Sequence, residues 1–369
     1  MNAEDDARFM ALALALGGRG LGRVWPNPAV GCVIVGEGRI VGRGWTQPGG
    51  RPHAETVALG QAGGLARGAT AYVTLEPCSH HGKTPPCADA LVAAGVARVV
   101  TALTDPDPRV SGRGHAMLRA AGIAVTEGIG AAEARAAQQG FLSRVTAGRP
   151  MVTLKLAMTL DGRIATAGGE SRWITGAVAR RHVHAQRMAH DAVMVGVGTA
   201  LADDPDLTVR EMGAAAQPVR VVLDSRLRLP VDRRLGRTAR EAPVWLVHGA
   251  DADAGARRAW EAAGGRLLPC ETGAAGRIGI GAALAALGTA GLTRVYAEGG
   301  ATVAAALIEN GLADRLHVYS AGRVFGAGGM AAVAGLGNRA LAEMPRYRLE
   351  AVRDLGGDVL HMWERDGAA

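Results

Sequence analysis

Three side chains with metal-binding atoms lie close together in the first quarter of the chain. Glu55 follows His53 by two residues, Cys78 follows a proline, and Cys87 ends a Pro-Pro-Cys run. A hydrolytic zinc site takes three protein ligands and keeps a fourth position for water, whose pKa then falls to about 7. Because His53, Cys78 and Cys87 supply that number of ligands, we expect a Zn²⁺ site of the hydrolytic kind.

Glu55 stands where such a site needs a proton carrier. It lies near a predicted helix start and can reach a bound water without coordinating the metal. The order His-x-Glu, Pro-Cys, Cys is that of the zinc deaminases, except that eight residues separate the cysteines instead of the usual two. His80 and His81 are alternative donors. A non-catalytic zinc regulator is disfavoured, since a structural zinc site fills all four positions and needs no proton carrier.

Two glycine-containing turns in the second half could approach a phosphate. One is Gly196-Val197-Gly198, and the other is the run 298–302, EGGAT, between a predicted strand and a predicted helix. At the second turn, backbone N–H groups and the helix dipole can hold a pyrophosphate. The six-residue glycine fingerprint of Rossmann domains is absent from the sequence. From the residues alone, a tight turn without a ligand is the better interpretation of each.

The motifs taken together resemble one family. Residues 26–35, PNPAVGCVIV, and residues 74–87, TLEPCSHHGKTPPC, closely resemble the bifunctional riboflavin-biosynthesis deaminase-reductases. The runs similar to the reductase half of that family are 155–163, 169–175, 201–205 and 298–300. The resemblance covers nearly the whole chain, and the long gap between the two cysteines is typical of this family.

The resemblance implies an α/β chain of two domains. Residues 1–147 are expected to form a cytidine-deaminase-like three-layer α/β/α domain, and residues 148–369 a dihydrofolate-reductase-like α/β domain. The sequence changes character at Gly148-Arg149-Pro150, and its 369 residues suit two domains of roughly 100 to 200 residues each.

Hydrophobic periodicity and turn residues predict the elements that position the motifs. The first half has predicted strands at 31–35, 39–45, 69–75 and 97–103 and helices at 5–16, from about 52, 86–94 and 114–121. The second half has predicted strands at 151–157, 192–197, 219–224, 244–248, 294–297 and 315–320 and helices at 177–189, 252–263, 280–287 and 302–310.

The resemblance also implies NADPH as the cofactor of the second domain. Cofactor contacts are implied at Ala157, Trp173, Thr199, Asp203, Ser225 and the segment 300–306, which includes Gly300, Ala301 and Thr302. Substrate contacts are implied at Ser171, Arg187, Leu207, Arg210 and Glu298. The forked cations of Arg187 and Arg210 suit a phosphate. Lys155, at the end of a predicted strand, is expected near this site.

The implied activity is bifunctional, that of a hydrolase and an oxidoreductase. Hydrolytic deamination of 2,5-diamino-6-ribosylamino-4(3H)-pyrimidinone 5′-phosphate at the zinc site precedes NADPH-dependent reduction of the ribosyl side chain, which gives 5-amino-6-ribitylaminouracil 5′-phosphate. The expected partner is this small phosphorylated pyrimidine. We expect the protein to bind neither nucleic acid nor a membrane, and to form a homo-oligomer, a dimer or larger.

The alternative function is that of a nucleobase or tRNA deaminase with a non-catalytic second domain. The net charge of +7 favours it, and the lack of a basic block with interleaved aromatics disfavours it.

The composition predicts a cytoplasmic protein. The chain is 48% hydrophobic and 20% charged, and no apolar run approaches the roughly 20 residues that span a bilayer. Acidic residues precede the first apolar stretch, where a secretory signal needs basic ones. Four cysteines are too few for a disulfide scaffold. Cys32 lies in an apolar strand pattern and Cys270 follows a proline, so we interpret both as buried or incidental thiols.

Overall fold

The chain divides into two compact units, Met1–Gly148 and Arg149–Ala369, in a computed structural model. The structure describes residues 2–80, 85–108, 110–213, 216–273 and 276–367. His81, one of the alternative donors, lies outside the described residues.

The described part of the first unit contains a five-stranded sheet with the order β2-β1-β3-β4-β5. The strands are β1 (Gly31–Gly36), β2 (Arg39–Trp45), β3 (Thr70–Val73), β4 (Arg98–Thr101) and β5 (Ala124–Glu127). The helices are α1 (Ala3–Gly17), α2 (Ala54–Ala62), α3 (Cys87–Ala94), α4 (Arg113–Ala120) and α5 (Ala131–Ala147). β1 is antiparallel to β2 and β3, whereas β3, β4 and β5 are parallel. α1 contacts α5, and α3 contacts both α2 and α4, so the helices form two groups around the sheet.

The described part of the second unit contains a nine-stranded sheet with the order β11-β10-β9-β8-β12-β6-β13-β16-β15, and a small sheet of β7 and β14. The strands are β6 (Met151–Thr159), β7 (Arg163–Ala165), β8 (Ala192–Gly196), β9 (Val219–Leu223), β10 (Val244–Gly249), β11 (Arg266–Cys270), β12 (Arg294–Ala297), β13 (Arg315–Ala321), β14 (Met330–Ala331), β15 (Tyr347–Asp354) and β16 (Asp358–Arg365). The helices are α6 (Ala177–Met188), α7 (Val197–Asp203), α8 (Arg234–Arg237), α9 (Ala254–Ala263), α10 (Ile280–Thr289) and α11 (Ala301–Glu309). All neighbours from β11 to β13 are parallel, and β16 and β15 add antiparallel strands.

The predicted elements are confirmed in type, and their ends differ from the observed ones by one or two residues. One shift matters for the site: β6 continues to Thr159, so Lys155 lies inside a strand and not at its end. The elements that were not predicted are α5, α7, α8, β5, β7, β11, β14 and the β15–β16 hairpin. The residues of β15 are exposed or half-buried throughout, so this strand lacks the alternation that reveals a half-buried strand.

No helix within the described ranges is both long enough and apolar enough to cross a membrane.

Two glycines of β2 allow α2 to lie close to the sheet. A Cβ atom at Gly44 would lie 2.1 Å from the carbonyl oxygen of Ala54, and one at Gly42 would lie 2.2 Å from that of Ala58. α2 begins directly after His53 and contains Glu55. This close approach therefore sets where both side chains stand.

We expect Gly44→Ala to destabilise the first unit by about 1–3 kcal/mol, because the new methyl group forces α2 away from β2. Gly60→Ala, within α2 itself, is the matched control. A Cβ there meets no atom within 4 Å, so it should stabilise the helix by about 0.5–1 kcal/mol. Denaturant unfolding of both variants measures the difference. Equal unfolding midpoints of the two variants would show that the close approach of α2 to β2 does not contribute to stability.

Candidate active sites in the two units

The three predicted zinc ligands converge in the first unit. His53 precedes α2, Cys78 lies in the loop after β3, and Cys87 is the first residue of α3. The Nδ1 atom of His53 lies 3.7 Å from the Sγ atom of Cys78 and 3.3 Å from that of Cys87. All three ligand atoms lie within 4.8 Å of one another. Residues separated by up to 34 positions thus present one nitrogen and two sulfurs to a single point.

These distances fit a tetrahedral zinc ion. Zn–S bonds of about 2.3 Å and Zn–N bonds of about 2.0 Å place ligand atoms roughly 3.5–3.8 Å apart. The backbone N–H of Cys87 also donates to Cys78 Sγ over 3.2 Å. Hydrogen bonds from the Cys87 thiol and then from His53 lower the pKa of Cys78 to about 4, whereas the adjacent Cys78 raises the pKa of Cys87. A divalent cation would let both sulfurs be thiolates, because a coordinating thiol is deprotonated.

Glu55 is 4% exposed and interacts with all three of these ligand side chains. Burial raises the pKa of its carboxyl to about 7, and the negative charge of Cys78 adds to the rise. A group whose pKa is near neutral can both accept and release a proton at physiological pH. The position and the pKa of Glu55 therefore suit proton transfer.

In the second unit, the predicted cofactor residues follow adjacent strands at one edge of the sheet. Ser225 comes after β9, Thr199 lies in α7 after β8, Gly300 comes after β12, and Ala157 lies near the end of β6. These four strands are neighbours in the order β9-β8-β12-β6 and are parallel. Ligands of open parallel sheets bind at the carboxyl ends of the strands. The sheet therefore brings these residues to the edge where a dinucleotide could lie.

At that edge of the sheet, the turn between β12 and α11 contains Gly299 and Gly300, so no side chain of these two residues covers its backbone. The N–H of Gly300, which precedes α11, donates to Thr199 Oγ1 over 3.1 Å. A Cβ atom at Gly299 would lie 2.7 Å from Val303, so this position accepts no larger residue without rearrangement. Ala301 and Thr302 open the helix, whose first N–H groups have no partner within it. Such a helix start suits a phosphate.

Three charged groups form the centre of the second site. Arg187 on α6 donates to both carboxylate oxygens of Glu298, over 2.6 and 2.9 Å, and to the carbonyl of Thr208 over 2.8 Å. Lys155 Nζ lies 3.8 Å from Glu298. Burial alone would raise the pKa of Glu298, but Arg187 and then Lys155 outweigh it and lower the pKa to about 2. Burial lowers the pKa of Lys155, and Glu298 opposes that shift.

The remaining predicted residues of the second unit differ in exposure and in their contacts. Leu207 is buried, whereas Arg210 is half exposed and pairs with Asp206 over 3.1 Å. Trp173 is 60% exposed, and the guanidinium of Arg180 lies 4.7 Å from the centre of one of its rings. Asp203 is the last residue of α7, and Ser171 is half-buried in the loop before α6. Their roles in binding stay predictions.

The sequence placed Lys155 near this site, but its pairing with Glu298 was not predicted. β6 and β12 are parallel neighbours, with Leu154 opposite Ala297, so the next residue of β6 reaches Glu298. The signal was a lysine inside an otherwise uncharged strand, which is rare without a function or a partner.

Two family models match the chain. The RibD C-terminal domain matches residues 150–361, and the cytidine and deoxycytidylate deaminase zinc-binding region matches residues 3–103. The riboflavin biosynthesis protein RibD of Escherichia coli is 44% identical, with 97% of this chain and 99% of that protein covered. The protein of the same name from Aquifex aeolicus is 40% identical, with 99% and 100% covered.

Solved structures of similar proteins have the same fold over the full length. RibD of Acinetobacter baumannii matches with a TM-score of 0.89 at 38% identity and covers 99% of both chains. A diaminohydroxyphosphoribosylaminopyrimidine deaminase/5-amino-6-(5-phosphoribosylamino)uracil reductase of Thermotoga maritima matches with a TM-score of 0.85 at 34% identity, covering 98% of this chain and 99% of that one.

We expect Cys78→Ala to lose the zinc ion, because two protein ligands hold the metal far more weakly than three. Cys270→Ala is the matched control, since that half-buried thiol lies on β11 in the other unit. Metal analysis of both purified variants gives the zinc content per chain. Stoichiometric zinc in Cys78→Ala would overturn the ligand assignment.

Proposed function

The chain belongs to the RibD family of riboflavin-biosynthesis proteins, and on that premise we propose how its two units divide the chemistry. It is a bifunctional enzyme, a zinc-dependent deaminase and an NADPH-dependent reductase. We assign deamination to residues 1–147 and reduction to residues 148–369. A nucleobase or tRNA deaminase with a non-catalytic second domain is not favoured, since the family match extends through the reductase half.

The observation that carries the deaminase assignment is the convergence of His53, Cys78 and Cys87 beside the buried carboxyl of Glu55. Zinc, when bound by these three residues, supplies a water whose pKa is about 7. Glu55 accepts the proton of this water and delivers it to the departing ammonia. The carbon attacked is the one that bears the 2-amino group of 2,5-diamino-6-ribosylamino-4(3H)-pyrimidinone 5′-phosphate.

For the reductase, we assign substrate binding to the charged centre and its surroundings. Glu298, held ionised by Arg187 and Lys155, accepts hydrogen bonds from amino or hydroxyl groups of the substrate. Ser171, Leu207 and Arg210 complete the substrate side. NADPH, when bound, supplies the hydride that reduces C1′ and turns the ribosylamino side chain into a ribitylamino one.

The cofactor side consists of the residues at the carboxyl edge of the sheet. The start of α11, with Gly300, Ala301 and Thr302, suits the pyrophosphate. The other cofactor contacts that we propose are Ala157, Trp173, Thr199, Asp203 and Ser225.

The partner of each site is a small phosphorylated pyrimidine. We further propose that the enzyme works in the cytoplasm as a dimer or larger homo-oligomer and binds no nucleic acid.

We predict that Glu55→Gln keeps its zinc and its fold, because glutamine is nearly isosteric, yet deaminates roughly 10² to 10⁴ times more slowly. Ammonia release from the diamino substrate measures the loss. The control is internal: the same variant should oxidise NADPH at the normal rate when given the deaminated intermediate. If reduction falls as much as deamination, the two units are not independent catalysts.

We predict that Arg210→Ala weakens use of the phosphorylated reductase substrate by roughly 10 to 200-fold. Losing a charge-assisted hydrogen bond costs about 1.5–3 kcal/mol, and 1.4 kcal/mol is tenfold. Arg234→Ala is the matched control, since Arg234 pairs with the same Asp206 over 3.2 Å. The measurement is kcat/KM with phosphorylated and dephosphorylated substrates. Equal losses on the two substrates would assign Arg210 to the fold or the cofactor instead.

A further inference from the structure

The loop that carries Cys78 contains a buried carboxylate to which the chemistry above gives no part. Glu76 is 3% exposed and lies two residues before Cys78. Its oxygens accept four backbone hydrogen bonds: Oε2 from Asp105 over 3.1 Å and Gly112 over 2.9 Å, and Oε1 from Gly114 over 2.9 Å and His115 over 3.3 Å. Four N–H donors around one side chain require a group that only accepts, as a carboxylate does.

These donors lie in the connection between β4 and α4 and in the first turn of α4. The N–H groups of Gly114 and His115 are among the first four of the helix, which lack partners within it. A negative charge at this end also interacts favourably with the helix dipole. Gly114 fits the contact closely, because a Cβ there would lie 2.1 Å from the carbonyl oxygen of Pro77. Glu76 and Pro77 are therefore fixed against the start of α4.

Cys78 is fixed in turn against the start of a second helix. Its Sγ accepts from the N–H of Cys87 over 3.2 Å, and its carbonyl accepts from the N–H of Ala88 over 3.2 Å. Both donors open α3. Residues 76–78 thus connect the N-terminal ends of α4 and α3. The carboxylate of Glu76 accepts hydrogen bonds at the start of α4, and the sulfur of Cys78 accepts one at the start of α3.

We propose that Glu76 is a positioning residue of the zinc site. By binding the β4–α4 connection and the first turn of α4, it holds Cys78 where its sulfur meets His53 and Cys87. The inference rests on the proposed role of Cys78 as a zinc ligand. Zinc tolerates little variation in its bond to sulfur, and the residues that orient metal ligands are worth about 10 to 100-fold in metal affinity.

Glu76→Gln tests the proposal with little change in size. The amide replaces one acceptor oxygen with an NH₂ group, which would then face two backbone N–H groups that have lost their acceptor. The segment 76–78 must shift to relieve this arrangement. The sulfur of Cys78 should shift with it.

Asp6→Asn is the matched control. Asp6 is also a buried carboxylate of the first unit, and it accepts from Tyr72 over 2.8 Å and from both Nη atoms of Arg98 over 3.0 and 2.7 Å. Arg98 pairs with Thr70 at the starts of β4 and β3, whereas Glu76 and Cys78 follow the end of β3. The control therefore removes a comparable buried acceptor at the opposite end of the same strands.

The experiment uses the full-length zinc-loaded protein and its Co²⁺-substituted form. It measures the rate of zinc release to a chromophoric chelator and the cobalt absorption spectrum, whose thiolate charge-transfer and ligand-field bands report ligand geometry. Circular dichroism confirms the folded fraction. We expect Glu76→Gln to release zinc roughly 10 to 100 times faster than the unchanged protein, with an altered cobalt spectrum. Asp6→Asn should retain the original release rate and spectrum.

Normal release and a normal spectrum in Glu76→Gln would overturn the proposal, as would equal changes in Asp6→Asn. If Glu76→Gln does not fold, Glu76→Asp replaces it, because aspartate keeps the charge but is one methylene too short to reach all four donors. Unchanged zinc release from Glu76→Asp would also overturn the proposal. An unchanged protein that holds no zinc would instead contradict the ligand assignment on which the inference rests.

Discussion

A buried carboxyl group stays fully ionised near neutral pH only where a positive charge or several hydrogen-bond donors compensate its charge, and this constraint separates the two sites. In the second unit, Arg187 and Lys155 supply the compensation for Glu298, whose pKa falls to about 2. In the first unit, burial raises the pKa of Glu55 to about 7. The two carboxyl groups therefore differ in chemistry: Glu298 stays ionised, as the substrate-binding role proposed for it requires, whereas Glu55 can exchange a proton.

The helices and strands around each carboxyl group determine how deeply it is buried and which groups compensate its charge. Tight packing of α2 on the glycines of β2 buries Glu55 beside the three ligands, and the starts of α3 and α4 hold the loop that carries Cys78. In the second unit, parallel pairing of β6 with β12 brings Lys155 to Glu298. Each site thus lies where strands end or helices begin, because unpaired backbone groups and helix dipoles there can bind charge.

The sequence allowed the zinc ligands and Glu55 to be predicted because their chemistry depends on residue type and short spacing. The order of most strands and helices was also predictable, since these elements have clear hydrophobic periodicity. The fold class followed from the resemblance to the deaminase-reductase family. The four contacts of Glu76 were not, because its donors lie 29 to 39 residues further along the chain. The pairing of Arg187 with Glu298 spans 111 residues. Such contacts depend on strand order, which no local pattern encodes.

One chain performs deamination and reduction in succession, and the stoichiometry of ammonia and NADPH is the most direct test of this sequence of reactions. The full-length enzyme is given the diamino pyrimidine phosphate and NADPH, with and without a zinc chelator, and both are followed in time. We expect one ammonia per NADPH oxidised, with ammonia appearing first, and no NADPH oxidation once zinc is removed. Oxidation of NADPH without ammonia release, or undiminished oxidation after zinc removal, would show that reduction does not depend on prior deamination by this chain.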